Sequence, residues 1–283
     1  MATWCNAPTA AGAYLRRALS RRARAVAGSA TLRVMPIIAV PFFMGAPMSG
    51  LVTPEPRLVL APSLPAGSPQ ERMGLLYRAL AGEVATQVAA GTRPVVVAGD
   101  CVSAIGVLAG LQAAGVEPTL IWFDAHGDFH TWQTSHSGFL GGMPLAMIVG
   151  RGEQTIVQAA GLAPLPEARA VLVGARDLDS GEDEAVATSA LTVRTVAEMR
   201  IWQPPAGPLH VHVDLDVIDP VEMPAHNYPA PGGPSLAEVR AALSALAATG
   251  RVAAASFSSW NPALPGADRA AAAGAELAAL FLG

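Results

Sequence analysis

Two short acidic clusters are the stretches of this 283-residue sequence that could carry out chemistry. The first, Asp124-Ala-His-Gly-Asp128, sets two carboxylates and an imidazole directly after the apolar run Thr119-Leu-Ile-Trp-Phe123. The second, Asp214-Leu-Asp216, follows Leu209-His-Val-His-Val213 and runs on into Val-Ile-Asp-Pro220. Aspartates inside so apolar an element are costly unless cations or hydrogen bonds compensate them. Either pattern alone is a common loop composition. Two of them, each at the end of a strand, point to a divalent-cation site. His210 and His212 lie within the second strand and read as core histidines or groups packed behind the ligands, not as ligands.

The elements that must position these clusters alternate. Pro36–Pro41 and Arg57–Ala61 read as short strands with a Gly/Pro-rich loop between them, and Pro69–Ala90 has helical spacing. Strands then read at Pro94–Ala98, Thr119–Phe123, Ala170–Gly174, Leu191–Thr195, Leu209–Val213 and Val252–Phe257. Helices read near Ser103–Ala114, Gly142–Gly150, Glu182–Ala190, Ser235–Ala248 and Asp268–Phe281. Continuously apolar strands separated by helices predict an α/β fold, a three-layer α/β/α sandwich on a mainly parallel sheet. In such sheets a ligand site lies beyond the carboxyl ends of the strands, where both clusters fall.

Composition narrows the function classes. The chain is 52% hydrophobic and 14% charged, as a large buried sheet requires. Its formal net charge of −4 gives no clustered basic surface for nucleic acid. The apolar stretch Ile37–Val52 is broken by Pro41, Gly45, Pro47 and Gly50, so no membrane span is expected. Two cysteines, Cys5 and Cys101, make no disulfide framework and predict a reducing, cytoplasmic compartment. Residues 1–34 carry Arg16, Arg17, Arg21, Arg22, Arg24 and Arg33 and no acid, a basic extension distinct from the domain expected over 35–283. A basic arm or transit peptide would have this composition; a start at Met35 with 1–34 non-native is the plainer reading.

Further segments align in order with one family. Ala98-Gly-Asp-Cys-Val-Ser103, the two clusters, Ser137-Gly-Phe-Leu-Gly-Gly-Met143, Gly174-Ala-Arg-Asp-Leu-Asp-Ser-Gly-Glu182 and Trp260-Asn-Pro262 together resemble the arginase/agmatinase (ureohydrolase) superfamily from about Met35 onward. The resemblance implies two metal ions, Mn²⁺ by ligand type, bridged by Asp124 and Asp214. His126 and Asp216 would complete one position, and Cys101 and Asp128 the other. It implies amidinohydrolase chemistry on a C–N bond of a small guanidino or amidino substrate, with Asp128 orienting the nucleophilic water. Ser137, Asp179, Glu182 and Ser259 fall at substrate-facing positions, and trimers or hexamers are common among relatives.

Three departures qualify that expectation. Cys101 stands where the family has a histidine ligand, which favours Zn²⁺ or a half-occupied first position. Gly141 stands where many arginases carry a proton-shuttling histidine, leaving His130 and His136 in the same loop as substitutes, His130 also as a substrate contact. Ser259 replaces a glutamate that pairs with the guanidinium, so a modified head group such as an N-hydroxyguanidine is expected. Two alternatives stay open: a deacetylase-like amidohydrolase with one metal on Asp124, His126 and Asp214, and a non-catalytic relative acting as a binding subunit.

Overall fold

A computed structural model describes residues 37–51, 53 and 57–282, so the basic segment 1–34 lies outside the described residues. Eight strands form one sheet in the order β4-β1-β5-β10-β9-β6-β7-β8. They are β1 (Ile37–Val40), β4 (Arg57–Val59), β5 (Val95–Ala98), β6 (Thr119–Phe123), β7 (Ala170–Val173), β8 (Thr192–Arg194), β9 (Leu209–Asp214) and β10 (Val252–Ser258). Every pairing in it is parallel. The chain builds β5 and then β6 with a gap between them, which β9 and β10 fill later. Both acidic clusters therefore end central, adjacent strands.

The sheet is buried on both faces because its strands are apolar at consecutive positions. In β6, Leu120 and Trp122 point to one core while Ile121 and Phe123 point to the other. The first core is closed by α1 (Pro69–Ala89), α2 (Ala104–Ala113), α3 (Pro144–Ile148) and α4 (Thr155–Ala160). The second is closed by α6 (Leu236–Ala248) and α7 (Ala267–Ala279), while α5 (Glu182–Ala187) follows β7. Sequence fixes the starts of two long helices. Ser68 with Glu71 and Ser235 with Glu238 each form a reciprocal capping box at the start of α1 and α6. Among the described residues no helix is long and apolar enough to cross a membrane.

Two elements differ from the expectation. The Gly/Pro-rich loop after β1 contains an antiparallel hairpin, β2 (Phe42–Phe43) with β3 (Ala46–Pro47). Two-residue strands are too short to leave a periodic signal. Helix α4 also has no counterpart in the sequence pattern, because its six residues make fewer than two turns.

Helices α1 and α2 approach closely because Gly106 and Gly110 face α1. A Cβ at Gly110 would sit 2.6 Å from both the Ala81 carbonyl oxygen and Val84 Cβ. Gly110→Ala is therefore expected to destabilise the protein by about 1–3 kcal/mol. Gly82→Ala, whose Cβ meets nothing within 4 Å, should be neutral or stabilising by up to about 1 kcal/mol. Urea midpoints check this; equal midpoints for the two variants would contradict the close packing.

Candidate metal centre and active site

The carboxyl ends of four neighbouring strands, β5, β10, β9 and β6, converge on one cavity. After β6, Asp124 turns back on the chain, its Oδ1 accepting the backbone N–H of His126 at 2.7 Å. After β9, Asp214 Oδ1 accepts the N–H of Asp216 at 3.0 Å in the same kind of aspartate turn. The two turns are joined where Asp216 Oδ1 accepts the N–H of Ala125 at 3.2 Å. Asp124 Oδ2 is held from below by the indole N–H of Trp122 at 3.0 Å. A repeated local motif on paired strands thus brings the two clusters together.

Asp124, His126 and Asp216 each offer a ligand atom, and these atoms lie within 4.8 Å of one another. His126 Nδ1 stands 3.3 Å from Asp124 Oδ1 and 3.2 Å from Asp216 Oδ2. Against the effect of burial, these two carboxylates push the His126 pKa up to about 12. Burial, with the charge of Asp216 added, raises Asp124 to about 6. Burial and neighbouring carboxylates raise Asp128 and Asp214 well above the usual range. Burial also pushes up Asp216, but the His126 hydrogen bond and charge hold it below the ordinary value. Asp128 Oδ2 is buried without a hydrogen-bond partner among the described residues. Clustered carboxylates, one imidazole and an orphaned oxygen form a donor set that divalent cations would satisfy.

Cys101 opens a 3₁₀ turn after β5 and is buried. Its thiol donates to the Gly141 carbonyl at 3.3 Å. Burial, then the charge of Asp128, holds this thiol protonated in the absence of a cation. A bound cation would reverse that preference.

The remaining expected site residues divide. His130, Ser137, Asp179, Glu182 and Ser259 line the cavity with the acidic cluster. His130 Nε2 faces Asp179 Oδ2 at 3.5 Å and Glu182 Oε2 at 3.9 Å. Glu182 is buried and accepts the Phe129 N–H at 2.8 Å. His136 is exposed and is not among the residues lining the cavity. Asp128 and Ser259 both have left-handed backbones, φ 49° and 77°, so both side chains are aimed by strained or turn geometry at the site.

Two features lay beyond the sequence reading. His226 lines the cavity from the loop after β9. Its Nδ1 donates to the Ser259 carbonyl at 2.7 Å, which fixes the tautomer and leaves Nε2 buried without a partner among the described residues. Two bonds tie its loop down, Asn261 N–H to the Ala225 carbonyl at 2.7 Å and the Asn261 side-chain amide to Asn227 at 2.9 Å. The only available signal was a histidine between prolines, Pro224-Ala-His-Asn-Tyr-Pro229, on the loop leaving the second cluster. The other feature lies under the site: His210 and His212 share the Ser256 hydroxyl at 2.9 and 2.8 Å. His212 also packs against Trp122, ring centres 4.0 Å apart, so both histidines support the site from the core.

The family model described as the Arginase family matches residues 42–283. The arginase of Bacillus subtilis (strain 168) is 34% identical over 203 residues, 67% of this chain and 69% of its own length. The N(omega)-hydroxy-L-arginine amidinohydrolase of Streptomyces lavendulae is 32% identical over 171 residues, 59% of this chain and 60% of its own. A crystal structure of the Bacillus subtilis arginase superposes with a TM-score of 0.74 at 29% identity, covering 88% of this chain and 99% of the other.

Burial lowers His210 to about 3 and His212 well below the ordinary value, so both fold as neutral rings. An unfolded histidine binds its proton near pH 6.5. Their contribution is full above that pH and lost as pH falls from about 6.5 towards 3, because there the unfolded chain binds more protons. Relative to His210→Asn, the parent should lose about 1.4 kcal/mol per pH unit across this window. Parallel stability curves for the two proteins would contradict the neutral, desolvated ring.

Proposed function

The chain belongs to the arginase family, and from that premise we propose that it hydrolyses a C–N bond of a small guanidino-type substrate at a two-metal centre. The supporting observation is the convergence of Cys101, His126, Asp128, Asp214 and Asp216 on one cavity, with Asp124 drawn together with His126 and Asp216 into one ligand cluster. Asp124 and Asp214 would hold both cations, His126 and Asp216 would hold one with them, and Cys101 and Asp128 the other. The oxygen-rich position suits Mn²⁺, and a Cys101 thiolate draws the other towards Zn²⁺. When bound, such a pair cancels the carboxylate charge and makes water nucleophilic near neutral pH.

The protein groups divide the remaining work. Asp128, with its free buried Oδ2, accepts the proton of the attacking water and returns it to the departing nitrogen. His130 fits the shuttle role, because it lines the cavity between Asp179 and Glu182. Overall, R–NH–C(=NH)–NH₂ and water give R–NH₂ and urea; an N-hydroxyguanidine gives hydroxyurea. Ser259 offers a hydroxyl where a guanidinium would need a carboxylate, forgoing a charge-assisted bond worth roughly 1.5–3 kcal/mol. The neutral His226 Nε2 is a second uncharged acceptor beside it. Both favour a head group less basic than a plain guanidine, such as an N-hydroxyguanidine. A one-metal reading is disfavoured, since Asp128 and Asp216 both line the cavity.

The test is release of urea or hydroxyurea by the Mn²⁺-loaded protein, with N-hydroxyguanidino compounds turned over faster than arginine or agmatine. Rates on arginine or agmatine of roughly 1–10³ per second would replace the head-group assignment. No release from any such compound with both cations bound would overturn the activity. Cys101→His should tighten divalent-ion binding without creating arginine hydrolysis. Ser259→Glu should destabilise the empty protein through an unpaired charge.

A further inference from the structure

The cavity measures about 820 Å³, far more than a guanidine head group fills. Its mouth is walled by aromatic rings from three separate segments. Phe43 of the β2–β3 hairpin stands 6.4 Å from Phe139, and Phe139 stands 5.2 Å from Tyr228, centre to centre. The wall is held in place. The hairpin is fixed by Met44 N–H on Asp100 Oδ2 at 2.8 Å and by Arg72 on the Gly45 carbonyl at 2.9 Å. The Phe139 ring lies over Gly141, where a Cβ would come within 2.3 Å of it. The missing side chain at 141 and the ring at 139 are thus one feature, since glycine leaves the volume that the ring takes.

Charge sharpens the assignment. Among the described residues no arginine lines the cavity, and the chain has no lysine. Arg176, next to Asp177 of the wall, does not line the cavity but donates behind it to the backbone carbonyls of Asp216 at 3.2 Å, Val217 at 3.0 Å and Ala230 at 2.7 Å. A carboxylate on the substrate would find no arginine or lysine in the wall, only neutral donors such as Ser135, Ser137 and Asn227, and would face Asp177, Asp179 and Glu182. Of these acids, Asp179 is 72% exposed and opposite His130, and Glu182 already accepts a backbone N–H. They give an amine tail weak, solvent-screened help, whereas the rings offer apolar area that an apolar tail would cover and remove from water.

We propose that the substrate is a guanidine or N-hydroxyguanidine without a carboxylate, whose aryl or bulky alkyl tail lies against Phe43, Phe139 and Tyr228. This rests on the amidinohydrolase reading of the same cavity and names the substrate class it serves. Phe139 is the specificity-determining residue, because its ring is central to the wall and fills the space above Gly141.

The experiment separates tail binding from turnover. Calorimetry on the full-length, Mn²⁺-loaded protein compares three product-like amines of equal length, ending in a phenyl group, a second amine or an α-amino acid. The phenyl-tailed amine should bind about tenfold tighter than either of the others. Phe139→Ala and, at the exposed rim, Tyr228→Ala should each erase most of that preference while metal content stays unchanged. Phe139→Leu should retain part of it and guards against a folding defect in the alanine variant. Equal or tighter binding of the diamine or the amino acid, or a phenyl preference that survives both alanine variants, would overturn the proposal. Selective phenyl binding without urea or hydroxyurea release would instead sink the proposed activity and leave the tail assignment standing.

Discussion

Four aspartates, Asp124, Asp128, Asp214 and Asp216, lie buried together at the centre of the sheet's carboxyl edge, and no arginine among the described residues lines the cavity there. Like charges so placed cannot all ionise in a desolvated site unless cations join them. The fold is arranged around that constraint. Placing β9 and β10 between β5 and β6 brings both acidic turns and Cys101 to one point. Without bound cations, a protonated His126 holds the place between Asp124 and Asp216 and two of the other carboxylates keep their protons at raised pKa. The same groups that are unfavourable alone would become a ligand set once cations were supplied.

Rigidity around this cluster comes from groups behind and beside it. Trp122 holds Asp124 from below, and His212 and Ser256 hold Trp122 within an otherwise apolar core. On the outer side, Asp219 accepts three backbone N–H groups and shapes the loop that carries His226. Asp100 ties the hairpin to the site, accepting both the Tyr77 hydroxyl at 2.6 Å and the Met44 N–H. The acidic cluster, the His226 loop and the aromatic wall are thus each anchored by their own buried or backbone hydrogen bonds.

The parallel sheet and both acidic clusters were legible in the sequence, because a long apolar strand ending in Asp leaves a strong, local pattern. The family resemblance followed from the same segments, and the Arginase family model covers them. What escaped depended on contacts distant in sequence. His226 gains its meaning from the Ser259 carbonyl, 33 positions away. The hairpin strands are two residues each, too short for periodicity. Gly141 read as a lost histidine, and only the position of the Phe139 ring reveals what occupies its space. His136, of the same residue type and loop as His130, differs from it in exposure, which composition cannot convey.

The central claim is that this acidic cluster exists to hold two cations. It is tested most directly by elemental analysis of the purified full-length protein, with thermal unfolding followed as Mn²⁺ is returned after chelation. Two divalent ions per chain are expected, with a melting temperature that rises with free Mn²⁺, as binding to the folded state alone requires. A protein with no ion bound, whose unfolding ignored Mn²⁺, would contradict it.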